Sequence, residues 1–402
     1  MSPIQLTVDE IRHLSEELGN TRTRCCVRRA TGSPSASHVT FDYLNKGAAN
    51  IIFRIQDWTQ SGPATKFSFF SFIDVLRESK SSFKATPMDH QYLMRHVLRV
   101  PRGGQKHLSS MEIIHGYEHA IRPLFLPGTY RTLGKVPAQR GGADTTITNR
   151  LSRDLTKHLM DHEAVLLLPD VMSHLYTRVE KSTFANTTPR NCWGILLPNM
   201  SPTPGRSITL EIKPKWLAQS PNAPSGAIRC RTCAMQVSVP KNRASYICPL
   251  QVLHGDSSII RPWAHATVTR QFGNESPSQA VISTMVEGIV AYLTVGDGVD
   301  LLRHLLQLQS TLDPWGVLCR PKQESELFDY NLRLAMTLRD CSLFIKINYN
   351  VGGITGIESK LGDLDFKSAE KIVDWMDKER QLLNEGAYLA PTGPKCWIQQ
   401  GS

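Results

Sequence analysis

The stretch TLEIKPKWL, residues 209–217, places two lysines on either side of a proline, directly after an apolar run that ends in a glutamate. In an extended strand side chains alternate, so Glu211, Lys213 and Lys215 would share one face, with the lysine Cα atoms roughly 6.5 to 7 Å apart. Because Pro214 cannot donate to a ladder, the strand is expected at a sheet edge or ending there. Two such lysines could follow phosphate oxygens, but most Lys-x-Lys pairs are ordinary surface lysines. The interpretation therefore needs support from other parts of the chain.

Length and composition indicate a folded protein of one large two-lobed domain or two domains. The chain has 402 residues, of which 41% are hydrophobic, enough to build two cores. It contains no apolar run of 18 residues, and its start, MSPIQLTVDE, lacks the basic and apolar regions of a signal peptide. We therefore expect an intracellular protein that does not enter a membrane. Nine cysteines fit reduced thiols, with room for one metal site, better than a disulfide framework.

The net charge of +10 calls for an anionic partner. Nucleic acid, an anionic membrane and a small polyanion are the alternatives. The basic residues are scattered instead of forming a run or a basic amphipathic helix, which favours a compact ligand of very high charge. A nucleic-acid binder would interleave aromatic residues with the basic ones, and aromatic residues make up only 7% of the chain.

The pattern of apolar residues predicts a small mixed α/β lobe over residues 1–168 and a larger C-terminal lobe over residues 169–402. A polar loop is predicted at 137–150 and an insertion at 184–207. Strands are predicted within 47–58 after a small-residue turn, at 91–103, within 164–171 where Pro169 stops the strand, and at 208–216 and 340–350. Helices are predicted at 6–19, 111–125, from about 276 onward, and at 368–386.

The segment KLGDLDFKSAEK, residues 360–371, supports the phosphate interpretation. Asp363 and Asp365 are spaced to present carboxylates on one side of an extended segment, and Mg²⁺ takes one or two such ligands together with phosphate oxygens. Lys367, Lys371 and Trp375 follow at the spacing of one helix face, which predicts a basic stripe. Helix-capping aspartates and an exposed helix are an equally open alternative.

Two further segments carry weaker signals. Asp340 stands at the entrance of the apolar strand in TLRDCSLFIKI, residues 337–347, where a carboxylate could orient an attacking hydroxyl or accept its proton. The turn formed by Gly47, Ala48, Ala49 and Asn50 could bring backbone N–H groups close to phosphate, although it is not a Walker sequence. Taken singly, an aspartate at the edge of a strand is usually just a turn residue, and the small-residue turn is a weak signal for phosphate binding.

Together and in this order, the segments resemble one family. Those that carry the resemblance are GAANIIFRI, HVLRV, RPLFLPG, LEIKPKW, RCRTCAMQ, YICPL, RDCSLFIKI and GDLDFK, between about residues 46 and 375. They resemble the inositol-pentakisphosphate 2-kinases, and the insertions resemble those of a fungal member. The resemblance implies an α/β (α+β) fold of two lobes, distantly protein-kinase-like, with an enlarged C-terminal lobe. It also implies transfer of the γ-phosphoryl group of ATP, with Mg²⁺, to the axial 2-hydroxyl of inositol 1,3,4,5,6-pentakisphosphate, giving phytate.

The resemblance also implies residue roles. Lys213 and Lys215 would hold substrate phosphate and the phosphoryl group in transfer, Asp340 would position the 2-hydroxyl, and Asp363 with Asp365 would hold Mg²⁺. The implied inositide contacts are Lys367, Lys371 and either Arg150 or Arg153, and the implied ATP contacts are Gly47, Ala48, Ala49, Asn50, Arg99 and Asp170. The protein is further expected to be a monomer of the nucleus and cytoplasm that requires neither nucleic acid nor membrane.

Two alternatives stay open at this point. Cys230, Cys233, Cys248 and His254 have the ligand types of a structural Zn²⁺ site, but their spacing is looser than that of a zinc finger, so buried free thiols are the alternative. A noncatalytic inositol-polyphosphate-binding scaffold would keep the lysines, but it has little reason to keep Asp340 together with the Asp363 and Asp365 pair.

Overall fold

The computed structural model describes most of the chain. The described residues are 6–17, 22–29, 38–47, 49–58, 68–79, 82–102, 108–131, 148–151, 154–179, 192–239, 246–272, 277–320 and 325–400. They form two compact units, the first from residues 1–116 and 160–199 and the second from residues 117–159 and 200–402. The predicted lobes, residues 1–168 and 169–402, do not have the bounds of these two units, and they stay a prediction.

Both units contain strands and helices, with five consecutive strands in the first unit and six consecutive helices in the second. The strands are β1 (Thr23–Arg29), β2 (Val39–Lys46), β3 (Asn50–Asp57), β4 (Phe69–Arg77), β5 (Phe83–Pro87), β6 (His96–Pro101), β7 (Gly128–Arg131), β8 (Thr148–Leu151), β9 (Glu163–Leu167), β10 (Cys192–Pro198), β11 (Ser207–Ile212), β12 (Ser342–Asn350) and β13 (Gly353–Gly362). The helices are α1 (Val8–Glu17), α2 (His90–Met94), α3 (Ser110–Gly116), α4 (Pro169–Thr177), α5 (Arg231–Ser238), α6 (Pro249–Leu253), α7 (Ser257–Gln271), α8 (Gln279–Thr294), α9 (Asp297–Leu312), α10 (Ser325–Asp340), α11 (Lys371–Asn384) and α12 (Trp397–Gln400).

The first unit is built on an eight-stranded sheet in the order β1-β9-β10-β6-β3-β2-β4-β5. All neighbouring strands are antiparallel except β1 and β9, and an additional pairing of β1 with β4 closes a circuit of strands. In β3 the side chains of Ile51, Phe53 and Ile55 are buried while their neighbours are not, as the period of two in the sequence predicts. The core of this unit lies on that face of the sheet.

The second unit places three antiparallel strands, β11-β12-β13, among helices. β11 is an edge strand and ends at Ile212, before Pro214, as the sequence predicts. Ile212 pairs with Leu343, and Ser342 pairs with Gly362. Because neighbouring strands are antiparallel, the end of β11, the start of β12 and the end of β13 lie side by side at one edge of the sheet. This edge positions the candidate site.

Helices α8 and α9 supply much of the core of the second unit. Their buried apolar side chains recur at helical spacing, as in Ile282, Met285, Val286 and Ile289 of α8. By length and composition alone, the helical run Gln279–Leu312 could also cross a membrane, and 39% of its most apolar window is buried. A single run of this kind is weak evidence for a membrane, because a core helix has the same composition.

These elements confirm the predicted mixed α/β (α+β) fold class, whereas the protein-kinase-like arrangement of two lobes stays a prediction. The helix at 6–19, the strand at 47–58 and the helix at 368–386 correspond to α1, β3 and α11.

Two local predictions were wrong. Residues 91–103 do not form one strand: Asp89 accepts a hydrogen bond from the Gln91 backbone N at 3.1 Å and caps α2, so β6 begins only at His96. The predicted insertion at 184–207 contains β10, which pairs with β6 and β9 and is buried from Gly194 to Leu197. A short apolar run inside a polar region concealed this strand.

Candidate active site

Lys213 lies at the sheet edge where the ends of β11, β12 and β13 meet. Its Nζ donates to Glu211 Oε1 at 2.8 Å and to Asp363 Oδ2 at 3.0 Å, and it also contacts Ser342 Oγ. The Ser342 hydroxyl oxygen is in turn 2.8 Å from both carboxylates. Partial burial alone would lower the pKa of Lys213, but the hydrogen bond to Glu211 and the charge of Asp363 raise it above its ordinary value. Lys213 is therefore a fixed positive charge at neutral pH.

Asp340 lies between two other lysines. Its Oδ1 accepts a hydrogen bond from Lys215 Nζ at 2.9 Å, and its Oδ2 accepts one from Lys367 Nζ at 2.7 Å. Burial on its own would raise the pKa of Asp340, but Lys367 and then Lys215 outweigh it and lower this pKa to about 2. Asp340 is the last residue of α10, two residues before β12 begins at Ser342, so its backbone is held between two elements.

The backbone at this edge is locally strained. Among the described residues that are not glycine, Lys215 and Asp363 are the two with positive φ, at 50° and 55°. Residues other than glycine occupy this left-handed region at a cost in conformational energy, and such conformations cluster at functional sites. Both lysines follow the end of β11, so the predicted strand alternation does not apply to them, and each lysine contacts a different aspartate.

The ring of Trp216, directly after Lys215, makes cation–π contacts with two arginines. The guanidinium carbons of Arg339 and Arg231 lie 3.5 and 4.3 Å from its ring centroid. Arg339 is paired with buried Asp313 at 2.5 Å, and Arg231 with buried Glu379 at 2.7 Å. Cation–π contacts of buried, paired arginines hold a ring firmly, so the segment that carries Lys215 has a rigid support.

The structure brings Lys213, Lys215, Asp340, Asp363 and Lys367 to one edge of the sheet. Asp365 lies two residues beyond Asp363 and is half-buried. Lys371 begins α11, where its Nζ is 3.5 Å from Asp374 Oδ2. Since Lys367 precedes α11 and Trp375 is buried in the core, the predicted stripe on one helix face was wrong.

Ser342 and Trp216 were missed by reasoning from the sequence. Ser342 stands two residues after Asp340 and could have been suspected from strand alternation. Trp216 gave no signal beyond its place next to Lys215.

The predicted ATP contacts lie in the first unit. The backbone N–H of Gly47 donates to the Asn50 carbonyl at 2.8 Å, which closes the turn between β2 and β3. With the Asn50 amide turned so that its oxygen faces Arg99, Oδ1 accepts hydrogen bonds from Arg99 Nε at 3.2 Å and from Nη2 at 2.6 Å. Ala49 lies in this turn and accepts a backbone hydrogen bond from Arg102 at 2.8 Å. Asp170 lies in the first turn of α4 and accepts from the Val171 backbone N at 2.9 Å.

Three of the predicted site residues are described only in their backbone or lie outside the described range. The backbone of Arg150 belongs to β8, whereas Ala48 and Arg153 lie outside the described residues.

A group of four buried cysteines lies elsewhere in the second unit. The ligand atoms of Cys230, Cys233, Cys248 and Cys396 are all within 4.8 Å of one another, and Cys230 Sγ is 3.8 Å from Cys248 Sγ. A tetrahedral zinc ion with Zn–S bonds of about 2.3 Å needs sulfurs about 3.8 Å apart, so these four thiols could hold Zn²⁺. Cys396, and not His254, supplies the fourth ligand atom of the group. The His254 imidazole instead stacks on Trp397 with ring centroids 4.2 Å apart.

Arg229 fixes the chain segment that delivers Cys396. Its fully buried guanidinium donates to the carbonyl oxygens of Ala390 at 2.7 Å, Pro394 at 2.6 Å and Pro391 at 3.3 Å. The Cys230 backbone N then donates to Cys396 Sγ at 3.2 Å. The cysteine group is thus organised by hydrogen bonds on both sides.

A mixed α/β fold that gathers lysines around a rigidly held aspartate is typical of phosphoryl-transfer enzymes, whose main work is positioning and charge stabilisation. Comparison with known proteins gives the particular family. The sequence model of the family described as "Inositol-pentakisphosphate 2-kinase" matches residues 43–381. The chain therefore belongs to the inositol-pentakisphosphate 2-kinase family and is a kinase.

The comparison with curated proteins agrees. The chain is 28% identical, over 226 residues, to a protein of Yarrowia lipolytica (strain CLIB 122 / E 150) named inositol-pentakisphosphate 2-kinase. The aligned region covers 51% of this chain and 68% of that relative.

Proposed function

We propose that the protein transfers the γ-phosphoryl group of ATP to the 2-hydroxyl of inositol 1,3,4,5,6-pentakisphosphate and releases inositol hexakisphosphate (phytate). The family supports a kinase of inositol phosphates. The observation that carries the proposal is the Asp340 carboxylate held between Lys215 and Lys367, at 2.9 and 2.7 Å. A carboxylate that orients a hydroxyl, surrounded by cations that bind phosphate, suits a substrate that carries a free hydroxyl and several phosphates on one small ring.

The lysines have two roles in this proposal. Without substrate they are held by carboxylates, which keeps their side chains ordered. Substrate phosphates carry more charge than a carboxylate and compete for the same ammonium groups. Lys213 and Lys215 then stabilise substrate phosphate and the transferring phosphoryl group, while Lys367, Lys371 and either Arg150 or Arg153 bind the remaining inositide phosphates.

Asp340 orients the 2-hydroxyl and accepts its proton late in the transfer. Phosphoryl transfer has a loose transition state that needs little base strength early on, so a carboxylate of low pKa can serve. As phosphates draw Lys215 and Lys367 away, the pKa of Asp340 rises from about 2 toward its ordinary value. Binding of the substrate therefore makes this group a better proton acceptor.

Asp363 and Asp365 are the proposed magnesium ligands. The exposed Asp363 carboxylate offers a hard oxygen next to Lys213, which fits an ion that takes few protein ligands and completes its shell with phosphate and water. When bound, Mg²⁺ would neutralise charge on the ATP phosphates. In the first unit, the turn Gly47, Ala48, Ala49 and Asn50, together with Arg99 and Asp170, is proposed to hold those phosphates.

The decisive experiment is to incubate the purified full chain with ATP, Mg²⁺ and the pentakisphosphate and to separate the inositol phosphates. We expect hexakisphosphate to form. Lys213→Ala should lower the rate on the order of 10² to 10³-fold, because it removes a charge that stabilises the transferring group. Lys378→Ala, which removes an exposed lysine of α11, should leave the rate unchanged. Tight binding of the pentakisphosphate without any hexakisphosphate would overturn the proposed reaction in favour of a scaffold.

A further inference from the structure

Gln309 is a fully buried polar side chain that contacts two segments of the candidate site. It lies on α9, and its Oε1 accepts a hydrogen bond from the Leu217 backbone N at 2.9 Å. Its Nε2 donates to the Lys215 carbonyl at 2.9 Å and, over 3.4 Å, to the Leu338 carbonyl. One amide therefore satisfies backbone groups of both chain segments.

The hydrogen bonds of Gln309 take the place of the inter-strand hydrogen bonds that end with β11. Beyond Ile212 the chain leaves β11, so Lys215 and Leu217 have no ladder through which to satisfy their backbone groups. Lys215 has a φ of 50°, a conformation that persists only where its surroundings impose it. Gln309 bonds the backbone of the residues before and after Trp216, namely Lys215 and Leu217. Arg231 and Arg339 hold the Trp216 ring itself. The turn at Lys215 is thus fixed at three successive residues.

The third contact connects this turn to Asp340. Leu338 lies two residues before Asp340 on the last turn of α10. The amide of Gln309 thereby joins the backbone that carries Lys215 to the backbone that carries Asp340, and the side chains of these two residues pair at 2.9 Å. A displacement of about 1 Å at such a pair can cost on the order of 10²-fold in rate.

We propose that Gln309 is a positioning residue of the phosphoryl-transfer site, which holds Lys215 in register with Asp340 and so presents its ammonium group to a substrate phosphate. The inference rests on the proposed function. A purely structural glutamine would stabilise the fold without affecting phosphate binding by Lys215, and this difference can be measured.

The experiment is a double-mutant cycle on the affinity of the full chain for inositol 1,3,4,5,6-pentakisphosphate, measured by calorimetry. Lys215→Ala should weaken binding about 10- to 100-fold, the range of a charge-assisted hydrogen bond. Gln309→Met, which keeps the volume of the side chain, should weaken it about 5- to 10-fold. In the Lys215→Ala background, Gln309→Met should add less than about a twofold loss, because the two residues act through one contact.

His304→Met is the matched control. His304 is also buried on α9, and its Nε2 is 2.8 Å from the Leu124 carbonyl oxygen, so this variant removes a buried hydrogen bond to a segment that carries none of the site's lysines or aspartates. We expect the melting temperatures of His304→Met and Gln309→Met to fall by similar amounts. Only Gln309→Met should weaken binding and lower kcat.

Each outcome is decisive. Equal affinities of the two methionine variants, or full losses that multiply in the double mutant, would overturn the role of Gln309. Gln309→Glu, which keeps the acceptor for Leu217 but loses the amide donor, serves as a second variant, and wild-type affinity in the folded Gln309→Glu chain would also overturn the role of Gln309. If the wild-type chain neither binds nor phosphorylates the pentakisphosphate, the proposed function fails instead.

Discussion

At the scale of single residues, the candidate site is a set of opposite charges that hold one another in place. Asp340 accepts hydrogen bonds from Lys215 and Lys367, and Asp363 accepts one from Lys213. Ion pairs that are partly exposed contribute little to stability, so their value lies in ordering the side chains before substrate arrives. A polyanion then meets cations whose positions are already fixed, which reduces the entropy lost on binding.

Asp340→Asn tests the role of the carboxylate. The substitution keeps the size of the side chain but removes its charge and its capacity to accept a proton. We expect kcat to fall at least about 10²-fold, in the range of lost acid–base catalysis. Affinity for the pentakisphosphate should hold or rise, because Lys215 and Lys367 lose their competing carboxylate. Steady-state rates and calorimetric affinities check this. Poor binding with normal turnover at saturation would instead place Asp340 among the substrate-binding residues.

At the scale of elements, the site depends on the register of one small antiparallel sheet. The pairings of Ile212 with Leu343 and of Ser342 with Gly362 align the ends of β11 and β13 with the start of β12. A shift of one residue would move Asp363 to the other face of the sheet and away from Lys213. The buried side chains of Ile345 and Ile347 in β12 oppose such a shift.

Asp363→Asn tests the metal ligand at the end of β13. An amide is a weaker ligand than a carboxylate for a hard cation, so the variant should need far more Mg²⁺ to reach half of its maximal rate. We expect an increase of about tenfold or more, measured by titrating Mg²⁺ at a fixed concentration of ATP. Asp374→Asn on α11 is the control and should titrate as the wild type does. An unchanged Mg²⁺ dependence for Asp363→Asn would show that the aspartate serves Lys213 and the fold.

At the scale of the whole molecule, the second unit is completed by residues far apart in the sequence. Cys396 reaches Cys230 across 166 residues, and Arg229 holds the intervening C-terminal segment through three carbonyls. A metal ion bound by the four thiols in tetrahedral geometry would connect α5, α6 and this segment. The monomeric state, the location in nucleus and cytoplasm, and the independence from nucleic acid and membranes stay predictions.

Cys396→Ser tests whether the four cysteines hold zinc. We expect about one zinc ion per purified wild-type chain by mass spectrometry of the metal content, and a large loss in Cys396→Ser. The melting temperature should fall by about 5 °C or more, since binding of a structural metal ion contributes to folding. His254→Ala should retain the metal, because its ring lies against Trp397. A wild-type chain free of zinc would leave buried free thiols as the explanation.

The sequence by itself determined the local features of this protein. Alternation in NIIFRI predicted β3, and Pro214 predicted the end of β11, because the period of side chains and the missing N–H of proline act within a few residues. The residue types in EIKPK, RDCS and GDLDFK were sufficient to indicate the family and the lysines and aspartates of the site.

Only the tertiary structure decided which of these groups meet. Lys213 pairs with Asp363, 150 residues away, and Lys215, which lies beyond the end of β11 and has a left-handed backbone, pairs with Asp340. Cys396 joined the cysteine group in place of His254, and Gln309 contacts the segment that carries Lys215 from a helix in which no residue pattern indicated a functional role. Residue spacing determines the side-chain directions only within one or two turns of a helix or strand. Contacts between distant segments depend on how buried surfaces pack, and this packing forms only when the whole unit folds.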